Sequence, residues 1–112
     1  MGRRVVVTGL GMVTPLGTGI EKNWEMVCAG KSGIGPITKF DASEFSAQIA
    51  GEVLDFKSED FMDKQQLRRF DIFVHYAVAS ARMAMEDSGL KIDPKKQNRV
   101  GCITGSGLGG LA

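Results

Sequence analysis

Three apolar stretches with two different periods set the expectations for this chain. Residues 3–8, Arg3-Arg4-Val5-Val6-Val7-Thr8, hold a β-branched run with no polar break among the valines. That is the pattern of a strand covered on both faces. Arg99 to Thr104 reads as a second inner strand near the other end. Between them, Phe70, Phe73, Val74, Ala77, Ala81, Ala84 and Met85 recur at helical spacing, while Asp71, His75, Arg82 and Glu86 share the opposite side. The spacing predicts a long helix over 70–88, closed by Gly89, and its alanines predict close approach of a neighbouring backbone.

Weaker signals fill the rest. Thr18 and Glu21 have capping-box spacing, which predicts a helix from Thr18 to Gly30 with Ile20, Trp24, Val27 and Cys28 on its inner face. Residues 31–46 are turn-rich and predicted irregular. Ala47 to Val53 alternates as a weak strand, and Ser58 is placed to cap a short helix with Glu59 and Asp60 in its first turn. The order strand, helix, weak strand, long helix, strand predicts an α/β layer with a parallel sheet and right-handed crossovers.

A length of 112 residues suits one small domain, and 43% hydrophobic with 24% charged residues is ordinary for a soluble protein. The net charge of +1 gives no ground for nucleic acid or an anionic membrane as partner, so any basic site must be local. Cys28 and Cys102 are far apart and His75 is the only histidine, which argues against a metal centre and for a reduced, cytoplasmic setting. The N-terminal Arg3-Arg4 and its valines resemble a leader only briefly, because Thr8, Gly9, Gly11 and Pro15 break the apolar run. Val6 stands where a myristoylation motif needs Ser or Thr, and no stretch reaches the ~18 apolar residues of a membrane span.

Two features suggest chemistry. Gly105, Gly107 and Gly110 satisfy GxGxxG after a predicted strand, the place of a dinucleotide fingerprint; the alternative is a tight turn beside another backbone with Leu108 packed inward. Lys64 and Arg68 share a helical face with Arg69 beside them, an arrangement suited to an acidic, phosphate-bearing partner or simply to a solvated helix end near Asp63 and Asp71. His75 lies one turn after Asp71 on the polar face, the spacing of a surface pair. No nucleophile accompanies it on a strand-to-helix turn, so no hydrolytic triad is indicated.

Taken in order, several motifs are similar to those of type II β-ketoacyl-acyl carrier protein synthases. They are Arg3 to Met12, Thr14-Pro15-Leu16-Gly17, Trp24, Ala29 to Ile34, Phe40-Asp41, Arg69-Phe70-Asp71 and Gly105 to Leu111. The resemblance spans the whole chain. It implies an α/β thiolase-like fold of αβαβα layers, of which residues 1–112 would be the N-terminal part of the N-terminal half, with the catalytic remainder absent. It implies acyl transfer from acyl carrier protein to a cysteine, then decarboxylative condensation with malonyl-acyl carrier protein, as in fatty-acid elongation. No catalytic residue carries over: Cys28, Cys102 and His75 stand outside the family's catalytic motifs. The resemblance implies an acyl pocket at Gly107 and Leu108, where type I enzymes tend to have glycine in place of Leu108. It also implies carrier-protein binding at Lys64, Arg68 and Arg69, no cofactor, no metal, and a homodimeric parent. A dinucleotide-binding module and a non-condensing relative of chain-length-factor type remain the alternatives.

Residues 1–112 alone are expected to be inactive and to self-associate, because the strand edges and the apolar stripe of the long helix would lack cover. Sizing chromatography and a condensation assay on the isolated segment check this; monomeric, active protein would contradict it.

Overall fold

A computed structural model describes residues 2–95 and 97–110, and in it the chain divides into two units. One runs from Met12 to Lys57; the other joins 2–11 to 58–110.

The first unit is organised by a buried amide. Pro15 and Leu16 form a two-residue loop between β1 (Val13–Thr14) and β2 (Gly17–Thr18), which pair antiparallel with Val13 opposite Thr18 and Thr14 opposite Gly17. Gly19 follows at φ 93°, a conformation that a side chain would strain, and serves as N-cap of α1 (Ile20–Cys28). The expected Thr18–Glu21 capping box therefore does not form. The cap position falls one residue late, on a glycine, and Thr18 Oγ1 is buried with no hydrogen bond among the described residues.

Asn23 does the joining instead. Its Nδ2 donates to the carbonyls of Gly17 (2.8 Å) and Gly19 (2.7 Å), and its Oδ1 accepts from the Thr14 hydroxyl. This side chain is only 4% exposed, whereas Trp24, Val27 and Cys28, expected on the inner face, are exposed. The turn explains that rotation: a buried carbonyl at Gly17 and a half-buried one at Gly19 need donors, and leaving them unmet costs more than leaving apolar surface in water. Gly30 ends the helix as predicted, in the left-handed conformation (φ 64°). The amides of Gly30 and Lys31 bond back to Val27 and Met26, which closes the last turn as a Schellman motif.

The stretch expected to be irregular contains a strand. β3 (Ile34–Pro36) pairs antiparallel with β4 (Ile49–Gly51), Gly35 opposite Ala50. Thr38 donates its amide and hydroxyl to the Glu52 carboxylate (3.1 and 2.6 Å), which holds that carboxyl below its ordinary value of 4.5. Gly33 and Gly51 flank Pro15 so closely that a Cβ on either would come within 2.8 Å of its ring.

The second unit is built on α3 (Ile72–Ser88), which ends on Gly89 in the left-handed region (φ 62°) as its pattern predicts. The close backbone neighbour implied by its alanines is the Gly9–Gly11 segment. A Cβ at Gly9 would overlap the Ala84 carbonyl and stand 2.6 Å from the Ser88 amide; one at Gly11 would overlap the Ser80 carbonyl. The Leu10 amide donates to Asp87 Oδ2 at 2.8 Å and fastens the same crossing.

Two expected strands do not form. Residues 3–8 and 99–104 have no ladder partner among the described residues, and Val5 and Ile103 are 88% and 98% exposed. A β-branched run is a strand only when another strand accepts its amides and carbonyls. The predicted parallel sheet is absent for the same reason; both sheets among the described residues are two-stranded and antiparallel.

α3 begins later than predicted. Phe70 is extended (φ −116°, ψ 146°) and separates α3 from a shorter helix, α2 (Lys64–Arg69). The face of α3 that is buried holds His75 (7% exposed) and Ala79, so His75 is no surface partner of Asp71. Its Nδ1 shares a 2.9 Å hydrogen bond with Ser58 Oγ. Ser58 opens a 3-10 turn, Ser58–Asp60, and its carbonyl accepts the amides of Phe61 and Met62. The hydroxyl expected to cap a helix is thus turned onto the imidazole.

Replacing Asn23 with Ala should cost about 2–3 kcal/mol, because three buried or half-buried polar partners lose their bonds together. Denaturant unfolding, and faster amide exchange at Gly19, would register it; Asn23→Asp should rescue little, since it removes the donors. Ser58→Ala should cost about 1–2 kcal/mol by stranding His75 Nδ1. An unchanged unfolding midpoint would show that the pair is not stabilising.

Candidate functional site

The sequence-predicted site residues all lie in the second unit, on α2 and on the glycine-rich stretch 105–110. α2 has only six residues and could not persist on helix propensity alone. Its start is fixed by a capping box that the sequence reading overlooked. Asp63 Oδ1 accepts from the amides of Gln65 (2.9 Å) and Gln66 (2.8 Å), and Gln66 Oε1 accepts the Asp63 amide at 3.2 Å. The signal was present as Asp-x-x-Gln, a less usual form of the motif.

Capping matters electrostatically. The Asp63 carboxylate sits at the positive end of α2, and Arg68 and Arg69 stand in its last turn, where the helix dipole favours cations. Lys64, Arg68 and Arg69 are all exposed. Lys64 and Arg68, four apart, share one face, and the Arg69 guanidinium lies 5.7 Å from the centroid of the Phe70 ring. The three cations therefore stand on one short, well-ended helix.

Over the described residues, the glycine-rich stretch 105–110 is irregular, with bends at Gly107, Leu108 and Gly110. The Gly109 amide donates to Ser106 Oγ at 3.0 Å, closing a small loop around Gly107 and Leu108. Leu108 is 79% exposed, and nothing stands within 4 Å of where a Cβ on Gly107 would be. Leu111 and the expected continuation lie outside the described residues.

Beside this loop runs an apolar groove of about 510 Å³, which the sequence reading did not anticipate. Phe73, Ala77 and Ala81 of α3 form one wall, and Cys102, Thr104 and Ser106 form the other. Four residues of the predicted apolar stripe, Phe73, Val74, Ala77 and Ala81, thus line a groove rather than a packed core. Tyr76 also lines it, and burial raises its phenol above the ordinary value of 10.0. Among the described residues, no group of three or more His, Cys, Asp or Glu comes together, and no helix is long and apolar enough to cross a membrane. Cys28 and Cys102 are both exposed free thiols, and they belong to different units.

Comparison with known proteins gives this arrangement its context. The family model for the beta-ketoacyl synthase N-terminal domain matches residues 2–112. Among curated relatives, the 3-oxoacyl-[acyl-carrier-protein] synthase 2 of Coxiella burnetii is 52% identical over 109 residues, which is 97% of this chain and 26% of the relative. The proteins of the same name from Vibrio cholerae and Synechocystis are 45% and 42% identical over the same shares. Among solved structures, the ishigamide ketosynthase/chain length factor superposes with a TM-score of 0.70 at 43% identity, covering 80% of this chain and 22% of that one. The chain thus spans about a quarter of the length of these relatives. With a full-length family match, near-complete alignment to synthases and a ketosynthase as structural neighbour, the chain belongs to the beta-ketoacyl synthase N-terminal domain family.

Proposed function

We propose that this chain is a segment of a fatty-acid chain-elongating 3-oxoacyl-acyl carrier protein synthase. In this reading it contributes a carrier-docking helix and one wall of the acyl pocket, and the residues that make and break bonds stand elsewhere in the enzyme. The observation that carries the proposal is the juxtaposition on α2 of Lys64, Arg68 and Arg69, all exposed on a helix fixed by its own capping box. A carrier protein presents an acidic surface and a phosphate-linked arm, and such a partner suits a compact cationic face better than a neutral one.

Leu108 supports the second half of the proposal. A bulky aliphatic side chain at the tip of a loop closed by Ser106 and Gly109 suits contact with an acyl chain. The complete enzyme would carry the layered thiolase-type fold, in which residues 3–8 and 99–104 gain strand neighbours. The high exposure of Val5 and Ile103 and the open apolar face of α3 favour such cover. A dinucleotide module is disfavoured by the family match. A relative without the nucleophile cysteine would share the same docking and pocket features.

The docking role predicts a kinetic signature. In the complete enzyme, Lys64→Glu with Arg68→Glu should raise the apparent KM for acyl-carrier substrates about tenfold, leave kcat within about twofold, and lose much of its effect near 0.5 M salt, where the ~10 Å screening length of dilute buffer has roughly halved. Steady-state assays across salt concentrations check this; an unchanged KM at low salt would discard the docking helix.

A further inference from the structure

We propose that Asp71 is a positioning residue for the acyl-pocket wall, holding the 107–110 loop against the start of α3 and so setting where Leu108 stands. This rests on the reading of Leu108 as a pocket residue and adds a determinant of substrate chain length.

Asp71 is unusual among the chain's helix starts. It occupies the N-cap of α3 with the extended backbone of a normal cap (φ −74°, ψ 161°), yet its carboxylate caps no amide of that helix. An aspartate there ordinarily turns onto the amides of the first turn, as Asp63 does on α2. The Asp71 side chain points instead at Gly110. A Cβ at Gly110 would overlap Asp71 Oδ2 and lie 2.7 Å from its Cγ and 3.2 Å from its Cβ.

The adjacent contact points the same way. Gly109 is in the left-handed region (φ 63°), and a Cβ there would sit 3.6 Å from Cζ of the Phe73 ring. Gly105 and Gly107, by contrast, have nothing within 4 Å of such a position. Of the four glycines in the stretch, only the last two touch α3, and they touch the residues that begin it. The Ser106–Gly109 hydrogen bond then transmits that footing around the loop, with Leu108 directly before Gly109. A carboxylate freed from capping thus serves as a strut beneath the loop.

The contact is steric, so it can be broken and restored. No positive φ marks Gly110, and an alanine there is compatible with its backbone. Gly110→Ala would push the added methyl into Asp71 and displace the loop; Asp71→Ala would remove the overlapping carboxylate and leave only its Cβ, 3.2 Å away, a contact that a shift of a few tenths of an ångström relieves. The experiment uses the complete enzyme and compares kcat/KM for short, medium and long acyl-carrier thioesters. Leu108→Phe serves as the test of the underlying reading. The expected result is that Leu108→Phe and G110A each change the long-to-short ratio about tenfold, roughly 1.4 kcal/mol of discrimination, and that the G110A/D71A double variant returns to within about twofold of wild type.

If Leu108→Phe shifts the ratio while G110A leaves it unchanged, or while D71A fails to reverse G110A, the role of Asp71 is overturned and the pocket reading stands. If Leu108→Phe shifts nothing, the pocket reading fails and the inference falls with it. Should G110A not accumulate as folded protein, its recovery by D71A, measured as soluble yield and thermal midpoint, is the same rescue in another readout. Failure of both variants to fold overturns the proposal.

Discussion

Everything in the second unit depends on the approach of Gly9 and Gly11 to α3, a contact made backbone to backbone. The helix offers Ser80, Ala84 and Ser88 along that edge, side chains small enough to let the chain lie on its carbonyls. Any Cβ on the glycines would collide, so the crossing is specified by what both partners lack. Close packing of this kind gains many weak dispersion contacts and little hydrophobic burial. It occupies only the C-terminal half of that face of α3, and the residues one heptad earlier on it, Phe73, Ala77 and Ala81, are left open as a groove. The Leu10 amide on Asp87 adds a directional bond that sets the height of the crossing.

Much of this was legible along the chain, but only where the cause is local. Gly89 and Gly30 stop their helices because left-handed backbone is written into the residue type. The extent of α3 apart from its first two predicted residues, and the neighbour implied by its alanines, follow from spacing. The strands at 3–8 and 99–104 were not settled by their sequence, because pairing is a property of two segments and each run can specify only itself. Family membership was legible from the ordered motifs, and the full-length match bears it out. The roles of single residues lay beyond what spacing could decide.

Polar atoms caused the largest surprises. Periodicity placed Trp24 and Val27 inside and His75 outside, and the structure has the reverse. In both cases a hydrogen-bonded partner far from the helical pattern decided the rotation: two turn carbonyls for Asn23, and Ser58 Oγ for His75. A hydrophobic count gives every apolar side chain the same weight and polar ones none. In units with few buried side chains, one satisfied amide can outweigh an exposed indole. His75 Nε2 remains buried without a hydrogen bond among the described residues, a cost that its other nitrogen and the packing around it offset.

The Asn23 amide also bears on the order of events during folding. Its three partners, Thr14, Gly17 and Gly19, lie nine, six and four residues away, and the Schellman closure of the same helix spans five or fewer. Contacts so near in sequence close in well under a microsecond and need no distant strand to arrive first. The turn contacts between Met12 and Lys31 are therefore among the earliest that the chain can close, and the nine-residue helix they join is held once the unit around it packs. The valines at 5–7, which have no ladder partner among the described residues, gain nothing from that closure and stay open to mispairing. A local turn thus settles early beside a run whose register only a second segment can set.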